Sequence, residues 1–239
     1  MTSKSYWKRL TLDFARELKT VRGMEEAELG GIRFGSLPGV FSPARSSDTA
    51  WFAAKVIPLI KGRSFLEIGS GSGAIACLAA LKGATSVVAT DISQAAIQNI
   101  LLNQKRLGLH FSVRHGNVYE PISRRELFDV IFWNHPFNYT EDASLEEDPI
   151  LATMFDCHYT ALKKFITGGR HHLSADGQIL LGSSNIARIS MIKKIALAEG
   201  FNLTLLNKTT VPIYKSVQAQ MDIRLYSLSL SKNILKLTG

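Results

Sequence analysis

Phe65-Leu66-Glu67-Ile68-Gly69-Ser70-Gly71-Ser72-Gly73 is the stretch on which the fold turns. A short apolar run enters alternating glycines, and the apolar Ala74-Ile75-Ala76 follows. A brief apolar run stopped by glycine reads as a buried strand, and the longer apolar run after it as a helix. Glycine at such a junction permits φ > 0 and lets a ligand approach the backbone. The free amides at the helix start favour a carboxylate or a phosphate. Strand, glycine turn and helix together open an α/β unit that binds something at the turn.

Outward from this stretch the pattern alternates. Strand-like runs fall at 64–69, 86–91, 111–116, 128–134 and 178–184, and helix-like runs at 73–82, 93–107, 149–167 and 186–199. Such alternation predicts a mostly parallel sheet covered on both faces, a Rossmann-like α/β fold. The last third breaks the rhythm: residues 202–209 and 222–230 both read as strands with no helix between them, so they are expected to pair antiparallel. Upstream, residues 3–20 show helical spacing with Leu10, Phe14 and Leu18 on one side. Residues 29–45 have the Gly, Pro and Ser content of loop and short strand. A helix is expected from Ser47 or Asp48, either of which can cap it, to about Lys61. The expected division is an N-terminal extension, 1–46, and an α/β domain, 47–239.

The bulk numbers bound the class. With 239 residues, 46% apolar and 20% charged, the chain suits one large globular domain with a substantial core. Cys77 and Cys157 lie in helix-like segments and are expected to be reduced, buried thiols; no metal site is expected, because His171-His172 has no partner at ligand spacing. The N-terminus lacks the apolar core of a signal peptide. No stretch approaches the roughly 18 apolar residues of a membrane helix, the run from Trp51 to Ile60 being broken by Lys55 and Pro58. A cytoplasmic protein is expected. The formal charge of +8 permits contact with nucleic acid, but the basic residues are dispersed and form no block.

Several residues carry chemistry. Gly69-x-Gly71-x-x-Ala74 satisfies the dinucleotide fingerprint, and Asp91 ends the next strand where that fingerprint wants an acid, so a nicotinamide dehydrogenase fits at this point. Glu67 precedes the first glycine by two positions, Asp91-Ile92 closes the second strand, and Gly116-Asn117-Val118 closes the third. The fourth strand ends in Asn134-His135-Pro136-Phe137.

These two motifs at this separation resemble the class I S-adenosylmethionine-dependent methyltransferases, whose seven-stranded sheet carries its last strand antiparallel. The resemblance implies S-adenosyl-L-methionine as cofactor, held by the loop Gly69, Ser70, Gly71 and Gly73, with Glu67 near its methionine end. It implies Asp91, beside Ile92, as acceptor for the ribose hydroxyls. Asn117, beside Val118, would accept from the adenine amino group; it stands where the family usually has Asp, and an amide oxygen still accepts. Asn134-His135-Pro136-Phe137 resembles the (Asn/Asp)-x-Pro-(Tyr/Phe) motif of amino-directed members. Two acceptors, the Asn134 side-chain oxygen and the His135 carbonyl, would hold the two hydrogens of a delocalised nitrogen and aim its lone pair at the methyl group. Pro136 would fix the turn, and Phe137 would offer a stacking face. Catalysis of this kind is positioning and electrostatics. The His135 ring is left over, with packing or substrate shaping favoured over proton transfer.

The likeness is greatest to the small-domain enzymes, including release-factor glutamine methyltransferases and ribosomal RNA guanine methyltransferases. It covers roughly residues 39–185, with Gly39-Val40-Phe41-Ser42-Pro43 matching the segment before their cofactor domain. After the motif, Glu141, Asp142, Glu146, Glu147 and Asp148 make a local acidic run. Acids there can simply favour helix starts, or they can form a lid over a cationic amine or guanidine, repelling a phosphate backbone. The expected acceptor is a nitrogen of a small molecule or protein side chain. An RNA base amino group stands second, and a catalytically silent binding subunit is the reading from another class.

Overall fold

The computed structural model describes residues 4–212, 214 and 219–230. Residue 3, where the first helix is expected to start, lies outside them. Helix α1 (Lys4–Thr20) leads into strands β1 (Glu25–Leu29) and β2 (Ile32–Ser36), which pair antiparallel. The strand character of β1 is weakly announced, because three of its five residues are Glu and only Leu29 is fully buried. Helix α2 (Asp48–Val56) is shorter than expected. It gives way to a single 3-10 turn, Ile57–Leu59, over Pro58, which has no N–H to continue the ladder.

The α/β unit follows: β3 (Ser64–Ile68), α3 (Ala74–Leu81), β4 (Ser86–Asp91), α4 (Gln94–Leu107), β5 (Ser112–His115) and β6 (Phe128–Asn134). Then come β7 (Asn138–Thr140), α5 (Pro149–Ala152), β8 (Phe155–Cys157), α6 (Thr160–Gly169), β9 (Leu173–Ser184), α7 (Ile189–Ala198), β10 (Phe201–Pro212) and β11 (Gln220–Leu230). Among the described residues seven strands form one sheet in the order β10-β11-β9-β6-β3-β4-β5. Neighbours from β9 through β5 are parallel, while β11 runs antiparallel to both β9 and β10. This is the architecture the alternation predicts, with the final strand inserted.

One expected element is corrected. Residues 149–167, read as one helix, contain α5, then β8 paired in parallel with β7, then α6. His158 and Tyr159 both take positive φ, which no helix tolerates. The Asp156 carboxylate accepts from the Ala161 and Leu162 amides at 3.1 and 2.9 Å and restarts the chain as α6. The apolar spacing is helical across the whole segment, so periodicity alone conceals the break.

Strand β3 is buried along nearly its whole length, and its residues alternate between two apolar layers. Phe65 joins the layer with Phe52, Ile75 and Ile100, and Leu66 and Ile68 join the layer with Phe165, Ile166 and Ile192. Trp7, Phe14 and Leu18 of α1 sit in the first of these layers. A second tie links the N-terminal residues to the glycine turn. The fully buried amides of Asn99 and Asn103, one helical turn apart on α4, each donate to both the Gly35 and the Ser72 carbonyls at 2.8–3.0 Å. Truncating either leaves each carbonyl one donor but orphans the backbone amide its oxygen accepts from, Leu37 for Asn99 and Gly35 for Asn103, at about 1–3 kcal/mol.

Chain order reverses beside β3: β4 and β5 lie on one side and β6 on the other. In open α/β sheets the crevice beyond the carboxyl ends of the strands at such a switch point is where ligands bind. Ile68 pairs with Trp133, so the glycine turn and residues 134–137 leave the sheet side by side.

Candidate functional site

A cleft of about 870 Å³ opens at this switch point. Ten of the expected site residues line it: Glu67, Gly69, Ser70, Gly71, Asp91, Ile92, Asn134, His135, Pro136 and Phe137. Gly73, Asn117 and Val118 are not among its lining residues. Gly73 instead makes the left-handed entry to α3. Val118, also at positive φ, packs into the apolar layer under α6, and Asn117 closes a turn by accepting from the Glu120 amide.

The glycine turn has a steric reason. Gly69 takes φ +59, and a Cβ on it would stand 2.6 Å from Nε1 of Trp133. A side chain would therefore meet both backbone strain and a ring that lines the cleft. Asp91 fastens the turn from the next strand: its Oδ2 accepts from the Gly71 amide at 2.9 Å and its Oδ1 from the Ser93 amide at 2.8 Å. Each oxygen keeps a further lone pair. Burial pushes the Asp91 carboxyl upward, against the pull of these amides.

Glu67 is 4% exposed and accepts from the Ala76 amide at 2.9 Å. Burial, with the Asp91 carboxylate adding to it, pushes the Glu67 carboxyl up to about 8. The sign of the consequence is definite. A carboxyl whose folded pKa is raised holds its proton more tightly in the folded chain, so its contribution is fully present below its ordinary 4.5 and is lost as pH rises through about 8. The ligand-free protein is therefore expected to lose thermal stability across that window, and Glu67→Gln to flatten the loss. Parallel melting-temperature profiles for the two proteins would refute this. A cation seated against Glu67 would favour the ionised form and oppose the loss.

At the other end, the Asn134 Nδ2 donates to Oδ2 of Asp48 at 3.0 Å. The Asn134 Oδ1 is buried and has no hydrogen-bond partner among the described residues. His135 is 2% exposed, with Nε2 3.0 Å from the Ser183 hydroxyl and Nδ1 unpartnered. Burial pulls its pKa down to about 3, so the ring is neutral across the physiological range. Phe137 meets the His135 ring edge-on, with centroids 5.9 Å apart. The Phe137 carbonyl lies 3.5 Å from the Tyr159 hydroxyl, which also accepts from the Arg188 amide at 2.9 Å and so joins this turn to the start of α7.

The acidic run is largely committed to local structure. Asp142 accepts from the Ser144 amide, Asp148 from the Ile150 and Leu151 amides, and Glu146 from the Cys157 amide at 2.6 Å. Asp148 also pairs with Lys19 of α1, and Glu141 lies 3.8 Å from Arg188. These bonds are what solvated acids at helix starts make. Glu146, Asp148 and Lys19 nonetheless reach the cleft.

Sequence reasoning missed Asp48 as a site residue, along with Lys19, Tyr214 and Met221, all of which line the cleft. Tyr214 stacks on Phe14 of α1 with ring centroids 3.5 Å apart. A cap-like Asp before an apolar helix gives no hint that its carboxylate reaches a strand end 86 positions later. Among the described residues no group of three or more His, Cys, Asp or Glu side chains is placed to hold a metal ion, and no helix is long and apolar enough to cross a membrane.

The family model described as methyltransferase small domain matches residues 31–202. A release factor glutamine methyltransferase of Bordetella pertussis is 33% identical over 124 residues, 50% of this chain and 45% of that protein. A ribosomal RNA small subunit methyltransferase C from an Enterobacter species is 25% identical over 197 residues, 82% of this chain and 52% of that protein. The chain thus spans about half the length of the curated relatives it matches. Among solved structures, the Thermus thermophilus 16S rRNA N2 G1207 methyltransferase, in complex with its cofactor and guanosine, aligns with a TM-score of 0.62 at 19% identity. That alignment covers 87% of this chain and 50% of that one, and is a likeness of fold.

Proposed function

This chain belongs to the methyltransferase small-domain family, and from that premise we propose that it is an S-adenosyl-L-methionine-dependent N-methyltransferase acting on a planar amide-, amine- or guanidine-type nitrogen of a protein side chain or small molecule. The observation that carries the reading is the strand-end placement of Asn134-His135-Pro136-Phe137 beside the glycine turn, both lining one cleft. In the ligand-free chain the Asn134 Oδ1 is closed off against Gly182, so an acceptor N–H meets it once the side chain turns.

The other end of the cleft suits the cofactor. The Gly69–Gly71 backbone leaves room for close approach, Asp91 keeps lone pairs for hydroxyl donors, and Glu67 offers a carboxyl to an ammonium. When bound, S-adenosyl-L-methionine supplies an electrophilic methyl group on a sulfonium. The chain's own work is then to hold the acceptor nitrogen. The Asn134 oxygen and the His135 carbonyl take its two hydrogens, Phe137 stacks on its plane, and the neutral His135 ring fills the wall without exchanging a proton. Residues 47–239 are the catalytic unit in this reading. Residues 1–46 close the acceptor end through α1, whose Lys19 lines the cleft.

The carboxylates of Asp48, Glu146 and Asp148 at the acceptor end oppose a phosphate, which favours a protein or small-molecule acceptor. An RNA base amino group is the second reading. It is favoured by the formal charge of +8 and by the likeness to the ribosomal RNA relative over 82% of the chain.

Incubation with methyl-tritiated cofactor, a glutamine-containing release-factor peptide and total RNA decides between them. Label is expected in the peptide. Label in RNA alone establishes the second reading. Label in neither, with S-adenosylhomocysteine still bound, points to a silent binding subunit.

A further inference from the structure

Basic residues that lie apart in the sequence come together on one side of the sheet. Helices α6 and α7 carry four lysines, Lys163, Lys164, Lys193 and Lys194, and no acid. In α6 the buried Leu162, Phe165 and Ile166 turn Lys163 and Lys164 outward, and in α7 the buried Ile192 and Ala196 do the same for Lys193 and Lys194. All four are exposed.

The two helices are pinned side by side at both ends. At their starts the Tyr159 hydroxyl accepts from the Arg188 amide at 2.9 Å, and past their last turns the Arg170 guanidinium donates to the Glu199 carbonyl at 2.8 Å. They therefore run parallel. Lys163 lies four positions after Tyr159 and Lys193 five after Arg188, so the two lysine pairs sit at matching height. Arg188 and Arg170 add a cation at each end of the face. The acids nearby are few: Glu120 stands 3.5 Å from Lys164, Glu141 stands 3.8 Å from Arg188, and Glu199 follows α7. Among the described residues Lys163, Lys193 and Lys194 enter no salt bridge.

We propose that this face docks the phosphate backbone of duplex RNA. Contacts made by charge, without an apolar anchor, suit a phosphate backbone, whose binding is driven by release of its counterions. Leu197 is the one large apolar side chain exposed on these helices. A protein partner needs a cluster of apolar or aromatic anchors, and a membrane surface needs an apolar stripe to insert. Packed helices have axes about 8–10 Å apart, so the lysine pairs form two rows at about that separation. B-DNA has grooves about 12 and 6 Å wide, and the rows match neither. The A-form duplex sets its backbones close together across a deep, narrow major groove, which two such rows can straddle. The four lysines are not among the residues that line the cleft, so RNA seated on them is not set against Asp48, Glu146 and Asp148. Docking of this kind is independent of which nitrogen accepts the methyl group.

The test is binding of a short fluorescein-labelled RNA duplex to the full chain, read by anisotropy across a salt series. The same duplex as DNA and vesicles of anionic phospholipid are the other arms. RNA is expected to bind most tightly, with log affinity falling against log salt at a slope of about −4 or steeper, one unit for each lysine on a phosphate. Lys163→Gln/Lys164→Gln/Lys193→Gln/Lys194→Gln should make that slope shallower by about 4 and weaken binding by at least about tenfold. A second variant, Lys55→Gln/Lys61→Gln/Lys82→Gln/Lys105→Gln, removes the same charge from exposed positions on or beside α2, α3 and α4, which pack on the other apolar layer. It should leave RNA affinity within about threefold.

Equal loss in the two variants means that net charge alone attracts RNA, and it overturns the proposal. So does DNA bound as tightly as RNA, vesicle binding stronger than either, or no RNA retained at low salt. Should a variant not fold, the wild type decides by itself. RNA should protect Lys163, Lys164, Lys193 and Lys194 from chemical acetylation, read by mass spectrometry, and leave Lys55, Lys61, Lys82 and Lys105 reactive. Uniform protection, or none, overturns the proposal. Loss of S-adenosylhomocysteine binding would count against the methyltransferase reading and leave the docking result as it stands, because none of these lysines lines the cleft.

Discussion

Asn134→Ala is expected to cut methyl transfer by on the order of 10²–10³, the usual effect of losing one preorganised polar group at a reacting centre. The fold should survive, because among the described residues the only side-chain bond lost is the one to Asp48, and Asp48 keeps its bonds to Ser46 and Thr49. Removing the unpaired Oδ1 even relieves a buried acceptor. The net stability change should therefore stay within about 1 kcal/mol, and S-adenosylhomocysteine affinity within about tenfold, one hydrogen bond being the most Asn134 gives a cofactor. Single-turnover rates with saturating cofactor, alongside calorimetry and melting curves, separate these effects. Turnover close to wild type would mean that residues 134–137 form only a turn.

The neutral His135 ring makes a companion point about proton flow. With burial holding its pKa near 3, it titrates far below working pH. A nitrogen made more acidic by methylation can lose its proton to solvent afterwards. The pH–rate profile is therefore expected to lack a limb in the ordinary histidine range, unlike an enzyme that uses an imidazole base.

How much of this could be read from the sequence follows from the range of each interaction. The glycine turn, the alternation around it and the inserted last strand are local patterns, and the sheet order agrees with them. The helix expected over 149–167 hides its break because Phe155, Leu162 and Phe165 keep helical spacing, while the cause of the break is the left-handed backbone at His158 and Tyr159. The cleft residues of β3, β4 and β6 were legible because each ends a strand at the switch point. Asp48 was not, because its partner is chosen by tertiary packing and its sequence context is that of an ordinary helix start. The acidic run was legible as a run, but only the structure assigns Asp142, Glu146 and Asp148 to backbone amides.

Asp91→Ala is expected to weaken S-adenosylhomocysteine binding by at least tenfold and by as much as about 10³. Two charge-assisted bonds to hydroxyls are worth about 1.5–3 kcal/mol each, and part of the loss is recovered by water. The carboxylate has a second task that works in the same direction. Through Gly71 and Ser93 it ties the glycine turn to the start of α4, so its removal also loosens the backbone against which the cofactor packs. Against this, burial raises the Asp91 carboxyl, so the ligand-free protein gives up little stability when a buried charge is deleted. The expected signature is thus a binding defect far larger than the melting-temperature shift of the free protein. Asp91→Asn keeps one oxygen for a backbone amide and loses the charge, so it should fall between wild type and Ala. Calorimetry with S-adenosylhomocysteine and with a nicotinamide dinucleotide reads both claims at once. Undiminished S-adenosylhomocysteine affinity in a folded Asp91→Ala protein would remove Asp91 from the cofactor site, and tight dinucleotide binding by the wild type would return the glycine turn to the dehydrogenase reading that its spacing also allows.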